Sequence, residues 1–280
     1  MTDSALIQYP LEVDGIVTRV LEVGTGDDVI VCLHGSGSRA DRWRPAMHLL
    51  GAAGRHCYAI DYPGHGLASK PAGYTYTAKA FAEFAAGFVR SLDHPTLHLA
   101  GTSIGGYVAG LIALDAPEQI RSLCLIGAVG LTPNAGPVAT ASGNVSRVDR
   151  DAIRAKLQFL VEDDTLVVDS WVEEEWRINS SPGAAEAMAA LQADNSSPRE
   201  PIGDQIAALN LPTMLCWGAQ DRWVPASLGI DALAVLPAAP LVLMQGAGHA
   251  PYFERPADFV KSYLSFLNDP TSLAAGATTI

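Results

Sequence analysis

Charge is scarce in this chain of 280 residues: Asp, Glu, Lys and Arg make up 17% of it, and the basic kind is scarcer still, 18 against 30 acidic. A formal net charge of −12 and a pI near 4.9 repel phosphate backbones and anionic lipid. Nucleic acid and membrane surfaces are therefore not expected partners, and solubility accounts for the acidity. Cysteine is sparse, with only Cys32, Cys57, Cys124 and Cys216, and none stands in a CxxC pair. That removes support for a zinc knuckle or a thioredoxin-like site. Cys32, Cys124 and Cys216 lie inside apolar runs, where thiols pack as small hydrophobes rather than as disulfides. No apolar run reaches the roughly 20 residues that span a bilayer. Met1-Thr2-Asp3-Ser4-Ala5-Leu6 lacks the basic start and long apolar stretch of a signal peptide, so a cytoplasmic protein is expected. There is no internal repeat and no cluster of metal ligands, so neither a metal nor an organic cofactor is expected.

What the chain does have is apolar material, 49% of its residues. That suffices for a sizeable core in one large domain or two small ones. Short runs that are apolar at consecutive positions read as strands buried on both faces of a parallel sheet: Val29–Leu33, His56–Ile60, Leu97–Ala100, Ser122–Ile126, Thr213–Trp217 and Leu241–Met244. Ile16–Val23 alternates with period two, as a half-exposed antiparallel strand does. Between the runs lie helical stripes, clearest at Phe81, Phe84, Ala85, Phe88, Val89 and Leu92, with others after Ser103 and over 257–267. Strand–helix–strand alternation predicts a parallel α/β fold. The rhythm breaks over 131–209. That stretch opens on a turn-rich segment (Thr132 to Pro137), continues in short helical patterns, and closes on a polar one (Asn195 to Pro201). It reads as a helical cap inserted into a core domain made of 1–130 and 210–268. The small, polar segment 269–280 reads as a frayed tail.

The strongest chemical signal is Gly101-Thr102-Ser103-Ile104-Gly105-Gly106, a GxSxG between a strand and a helix. A sharp turn there lifts Ser103 Oγ above the sheet edge and places the Ile104 N–H at a helix N-terminus, where it can face an oxyanion. Serine needs a base. Of seven histidines, His249 lies in a flexible loop after the last strand, Gly246-Ala247-Gly248-His249-Ala250-Pro251. His56 and His98 enter core strands, and His48 and His94 read as surface positions. The base needs a carboxylate to hold its tautomer, and Asp221 follows the Thr213–Trp217 strand. Glu254 is the runner-up for that carboxylate, though it reads rather as a tie for the loop around His249. A second oxyanion donor, the N–H of Ser36, is expected from Leu33-His34-Gly35-Ser36-Gly37, a loop that carries neither GxGxxG nor GxxxxGK[ST] and so does not read as a phosphate cradle.

These segments, with Asp61-Tyr62-Pro63-Gly64-His65-Gly66 and Gly248-His249-Ala250-Pro251-Tyr252-Phe253-Glu254-Arg255-Pro256, make the chain resemble an α/β-hydrolase over about residues 15–268. The order Ser103, Asp221, His249 is that fold's order. The resemblance implies a mostly parallel eight-stranded sheet flanked by helices, with a helical cap. It also implies a structural role for the Asp61–Gly66 turn, with His65 as a fold histidine. Serine rather than aspartate at 103 argues against haloalkane dehalogenases and epoxide hydrolases. His34-Gly35-Ser36-Gly37 resembles the meta-cleavage-product hydrolases, which cut a carbon–carbon bond in vinylogous diketones. That comparison would make Arg177, on the cap, a carboxylate-binding residue. As a plain helix-surface residue it would instead pair with Glu173 or Glu174. Thr102, Ala250 and Ser38-Arg39 depart from that subfamily, which usually has Asn, Trp and Pro-Gly there.

The expected activity is hydrolysis of small carboxylic esters through Ser103, His249 and Asp221, with Ser36 and Ile104 as oxyanion donors. Carbon–carbon hydrolysis is the alternative. Perhydrolase or cofactor-free oxygenase chemistry and a non-catalytic ligand receptor rank below both. Candidate substrate-binding positions are His34, Gly35 and Gly37 in the loop, Thr102, Trp223 and Ala250 beside the triad, and Trp171 and Arg177 in the cap. Glu173-Glu174-Glu175 reads as a solvated helix face. A homodimer is compatible with the chain, and nothing in the sequence decides it.

Overall fold

The computed structural model describes residues 5–133, 149–197 and 199–280. Its centre is a sheet of nine strands: β1 (Ile7–Val13), β2 (Ile16–Val23), β3 (Val29–Leu33), β4 (His56–Ile60), β5 (Leu97–Thr102), β6 (Ile120–Ile126), β7 (Thr213–Gly218), β8 (Pro240–Met244) and β9 (Gly276–Thr279). Their spatial order is β1-β2-β4-β3-β5-β6-β7-β8-β9. β1 pairs antiparallel with β2, and β2 with β4. From β4 onward every pairing is parallel. Every residue of β3, β4, β5 and β7 is buried, which is why these strands read as unbroken apolar runs.

Helices cover both faces: α1 (Arg44–Ala52), α2 (Ala78–Ser91), α3 (Ile104–Asp115), α4 (Arg150–Leu160), α5 (Asp169–Asn179), α6 (Ala184–Asn195), α7 (Gly203–Ala208), α8 (Ala226–Ala232), α9 (Pro251–Glu254) and α10 (Pro256–Asn268). One face of the sheet packs against α2, α3, α7 and α8 through side chains such as Phe81, Phe88, Val108, Ile206 and Trp217. The other packs against α1, α9 and α10 through Trp43, Met47, Tyr252, Phe259 and Phe266. Thr77 caps α2 by accepting the Ala80 N–H, and Asp149 caps α4 by accepting the Ala152 N–H. No helix among the described residues is long and apolar enough to cross a membrane.

Two expectations change. The sheet has a ninth strand where a frayed tail was expected: Gly276–Thr279 runs parallel to β8. Ile280 completes that edge, donating its N–H to Leu243 and accepting one from Gln245. The side chains of β9 are mostly exposed, so only backbone hydrogen bonds mark it, and those leave no apolar pattern. The cap interval is also less separate than its sequence suggested. Ala187, Met188 and Leu191 of α6, with Ile202 and Ile206 around α7, join the main core, whereas α4 and α5 share a small cluster of their own, which includes Ile153, Leu157, Trp171 and Val172. Most of the turn-rich opening of the cap, from Asn134 to Pro137, lies outside the described residues, as does Pro198 in its closing stretch.

Candidate active site

The site is assembled at the carboxyl ends of the parallel strands, where an open α/β sheet leaves a crevice. β5 delivers Ser103, β7 delivers Asp221, and β8 delivers His249. Between β5 and α3 the chain turns so sharply that Ser103 has φ 56° and ψ −123°. A non-glycine residue in that region is strained by on the order of 1–3 kcal/mol, a cost that surrounding structure must hold in place. The holding is visible. A side chain on Gly101 would place its first carbon 2.1 Å from the Gly105 carbonyl oxygen, so strand and helix cross this closely only because residue 101 is glycine. The Ser103 N–H donates to Ile126 at 2.8 Å, and its carbonyl accepts from Gly106 and Tyr107.

Asp221 and His249 form the second part. The Asp221 side chain is fully buried, and Oδ1 accepts the N–H groups of Trp223 (2.8 Å) and Val224 (2.9 Å). Its other oxygen, Oδ2, is left for His249 Nδ1 at 2.7 Å. A carboxylate only accepts, so Nδ1 carries the proton and Nε2 is the free acceptor. Gly127, directly after β6, is the floor under this pair. A side chain there would begin 3.2 Å from both Asp221 Oδ2 and His249 Nδ1, and its φ of 50° also favours glycine. Since Ser103 hydrogen-bonds Ile126, the serine and the His–Asp pair flank the same two residues.

The loop after β3 lies against the serine. The ideal position of a first side-chain carbon on Gly35 is 3.2 Å from Ser103 Cβ and 3.8 Å from its Oγ, and one on Gly105 would meet the carbonyls of Leu33 and His34. The loop and the start of α3 are thus in contact, with the N–H groups of Ser36 and Ile104 making no backbone hydrogen bond among the described residues. Of the sequence-predicted positions, Gly35 lies against Ser103, Ser36 and Gly37 follow it in the same loop, and Ile104 is the next residue of the turn. Trp223 also arrives, its ring stacked over His249 with centroids 6.4 Å apart and its edge against Phe159. Thr102 and Ala250 sit beside the serine and the histidine in sequence, and both are buried.

Three predicted substrate contacts are not where the sequence placed them. His34 is fully buried. Its Nδ1 donates to the Gly35 carbonyl at 2.8 Å, and Nε2 accepts the Tyr62 N–H at 3.1 Å. Burial pushes its pKa down to about 3, so it is a neutral brace beneath the loop, with both nitrogens committed. Arg177 points to solvent, 72% exposed, and pairs with Glu173 one helical turn back at 2.8 Å. Trp171 packs instead at the cap–core junction, against Phe253 (5.1 Å) and under the Arg42 guanidinium (3.8 Å). The acidic run is likewise not uniformly solvated. Glu175 is buried, bonded to Lys156 at 2.8 Å and to Arg39, with Arg42 beside it. Those cations hold its carboxyl down at about 2 against the effect of burial.

Glu254 does tie the histidine loop. Its carboxylate accepts the N–H groups of Gly248 and Ala250 (both 3.0 Å to Oε1) and of Glu162 (2.7 Å). Burial raises its pKa. His249 donates its own N–H to the Leu160 carbonyl at 2.8 Å, and Arg222 donates to Val161 at 2.5 Å. The cap segment 160–162 is therefore stapled to the loops that carry Asp221 and His249. A backbone carbonyl such as that of Leu160 carries no side-chain signal, so the sequence could not announce it. Among the described residues no group of three or more His, Cys, Asp or Glu is placed to hold a metal ion.

A strained serine at a strand–helix turn, a histidine–carboxylate pair two strands away and a mostly parallel sheet define an α/β-hydrolase. A family model described as alpha/beta hydrolase family matches residues 30–262, and the chain belongs to that family and is a hydrolase. The chain is 30% identical over 260 residues to the dihydrolipoyllysine-residue acetyltransferase component of the acetoin cleaving system of Cupriavidus necator, covering 92% of this chain and 68% of that protein. It is 28% identical over 267 residues to a 2-hydroxy-6-oxononadienedioate/2-hydroxy-6-oxononatrienedioate hydrolase of a Pseudomonas species, covering 91% and 93%. Among solved structures, a bacterial membrane phospholipase A superimposes with a TM-score of 0.83 at 27% identity, covering 95% of this chain and 87% of that one.

Proposed function

We propose that the protein hydrolyses small carboxylic esters through Ser103, His249 and Asp221. The observation that carries this reading is the His249–Asp221 bond of 2.7 Å beside a serine held at positive φ. His249 Nε2 takes the Ser103 proton as Oγ bonds to the ester carbonyl carbon. The carbonyl oxygen becomes an oxyanion facing the N–H groups of Ser36 and Ile104. His249, now protonated and steadied by Asp221, gives its proton to the departing alcohol. The acyl-enzyme is then cleaved by water, which His249 activates. Ser103 Oγ makes no hydrogen bond to a described residue, and the bond to His249 that this mechanism needs is of the kind that forms when substrate is bound.

A second reading, carbon–carbon hydrolysis of a dienoate, is favoured by the similarity to the nonadienedioate hydrolase. Against it stands Arg177, the cap cation that such a substrate's carboxylate would need, which is turned to solvent and engaged by Glu173. The test is a panel of p-nitrophenyl esters of graded length beside a ring-fission dienoate, run with wild type and Ser103→Ala. Ester turnover that disappears in the variant is expected. Turnover of the dienoate alone would transfer the assignment to the second reading, and ester rates that survive in Ser103→Ala would overturn the serine mechanism.

A further inference from the structure

Ser36 supplies its backbone N–H to the proposed oxyanion hole, and its side chain does something separate. Oγ donates at 3.1 Å to Oδ1 of Asn195, the last residue of α6, from the cap interval. That oxygen is already fixed: Arg199 Nη2 also donates to it at 3.0 Å, so two donors converge on one atom and the amide cannot flip without losing both. Arg199 is in turn held by Asp194 at 2.9 Å, and its guanidinium lies 5.6 Å from the Tyr107 ring on α3, the helix whose first N–H is the other proposed donor. One residue along, the Gly37 carbonyl accepts from Lys156 Nζ at 3.2 Å. Lys156 comes from α4 and is itself anchored by buried Glu175. From within the core, the Gly35 carbonyl accepts from His34 Nδ1 and from the Ser38 N–H. The loop is therefore braced below by core residues and gripped from above by two helices of the cap interval.

We propose that Asn195, assisted by Lys156, is a positioning residue for the oxyanion hole, so that seating of the cap completes the hole. This rests on the ester reading above. Neither side chain touches the reacting atoms. Asn195 acts through Ser36 Oγ, and Lys156 acts through the Gly37 carbonyl. The peptide they fix carries a donor whose direction must match an oxygen that is charged only in the transition state. A misplacement there lowers kcat and leaves ground-state binding nearly unchanged.

The experiment is a double-mutant cycle of Ser36→Ala and Asn195→Ala, with kcat and KM measured on p-nitrophenyl butyrate. Affinity for a trifluoromethyl ketone, whose adduct with serine places an oxyanion in the hole, is measured alongside. Each single variant is expected to lose about ten-fold in kcat, a fraction of what outright loss of a donor costs. KM should stay within about two-fold, and ketone affinity should fall in parallel with kcat. The double variant should be no slower than the slower single, because both changes break one bond. Asn195→Asp, which keeps an acceptor for Ser36 and Arg199, should recover most of the rate and guards against misfolding of the alanine variant. Wild-type kcat in Asn195→Ala, additive losses in the cycle, or unchanged ketone affinity would each overturn the proposal. Ser103→Ala, run beside them, separates the two failures: if it abolishes turnover while Asn195→Ala does not slow it, only the positioning role falls. If Ser103→Ala remains active, the ester mechanism falls with it.

Discussion

The positions of Ser103, Asp221 and His249, the residues of the proposed triad, could be read from sequence because each lies in a short segment whose spacing relative to a strand end is fixed by the fold. Gly127 shows what such reading passes over. Its importance is a volume, the space beneath the Asp221–His249 pair, and a glycine in a Gly127-Ala128-Val129-Gly130 run advertises nothing. Gly127→Ala should strain a backbone at φ 50° and push the imidazole off line, lowering kcat by about 10- to 100-fold. Steady-state kinetics with a thermal melt checks this, and an unchanged kcat in a folded variant would remove the floor from the account. Arg177 was left between two readings, and Glu175 was misread, for a common reason. On α5 they are two residues apart, so they face nearly opposite sides, and the sequence does not say which side the core approaches. A second Ser–His–carboxylate relay shows that the constellation alone is not enough. His98 bonds Ser122 Oγ at 2.7 Å and Asp28 at 3.1 Å, yet Ser122 and His98 are buried at the amino ends of β5 and β6, far from the strand ends that carry the candidate site. Ser122→Ala should leave kcat at the wild-type value and cost about 1–3 kcal/mol of stability, because a buried ring nitrogen loses its partner.

At the scale of elements, the strands were legible because burial on both faces forces continuous apolar runs, α2 and α10 because one stripe of each must face the sheet, and α3 because it is buried on nearly every side. β1 and β9 were not, since they are edge strands with exposed side chains and little pattern. The joint between the cap and the loops of Asp221 and His249 was half legible. Glu254 could be read as a tie, but its reach to the Glu162 N–H across from the cap depends on where α4 ends. Three N–H donors converge on that carboxylate from both sides of the joint. Glu254→Ala should free the His249 loop, with kcat down by at least ten-fold and hydrogen exchange faster at 248–250 and 162. Glu254→Gln keeps an acceptor oxygen for part of the set and should fall between. Exchange at 162 that stays at the wild-type rate in the alanine variant would mean that the cap segment is held by other bonds, Arg222 to Val161 first among them.

Over the whole molecule, two effects of acid oppose each other, and their sizes decide the outcome. The net charge of −12 at pH 7 vanishes near the pI of 4.9, which relieves self-repulsion and favours the compact state as pH falls. Against this stand three histidines held neutral inside. His34, His65 and His98 each have a pKa pushed from 6.5 down to about 3, in every case chiefly by burial. Their folded-state values lie below the unfolded one, so the unfolded chain binds more protons between those limits. The neutral forms are favoured fully above about 6.5, and that stability is lost as pH drops toward 3. At pH 5 the linkage costs on the order of 2 kcal/mol for each of the two fully buried rings, His34 and His65, a large share of a typical domain's roughly 5–15, while at His98 the neighbouring Asp28 carboxylate offsets part of the effect. Glu175, held at about 2 by Lys156 and Arg39, adds a loss of the same sign below the ordinary carboxylate range. Relief of diffuse surface repulsion between exposed charges, screened at 0.15 M salt, is smaller. The melting temperature should therefore fall between pH 7 and pH 5 even as the net charge approaches zero. Differential scanning calorimetry across that interval checks it, and a melting temperature that rises toward the pI would mean that surface repulsion, not the buried imidazoles, governs the acid limb.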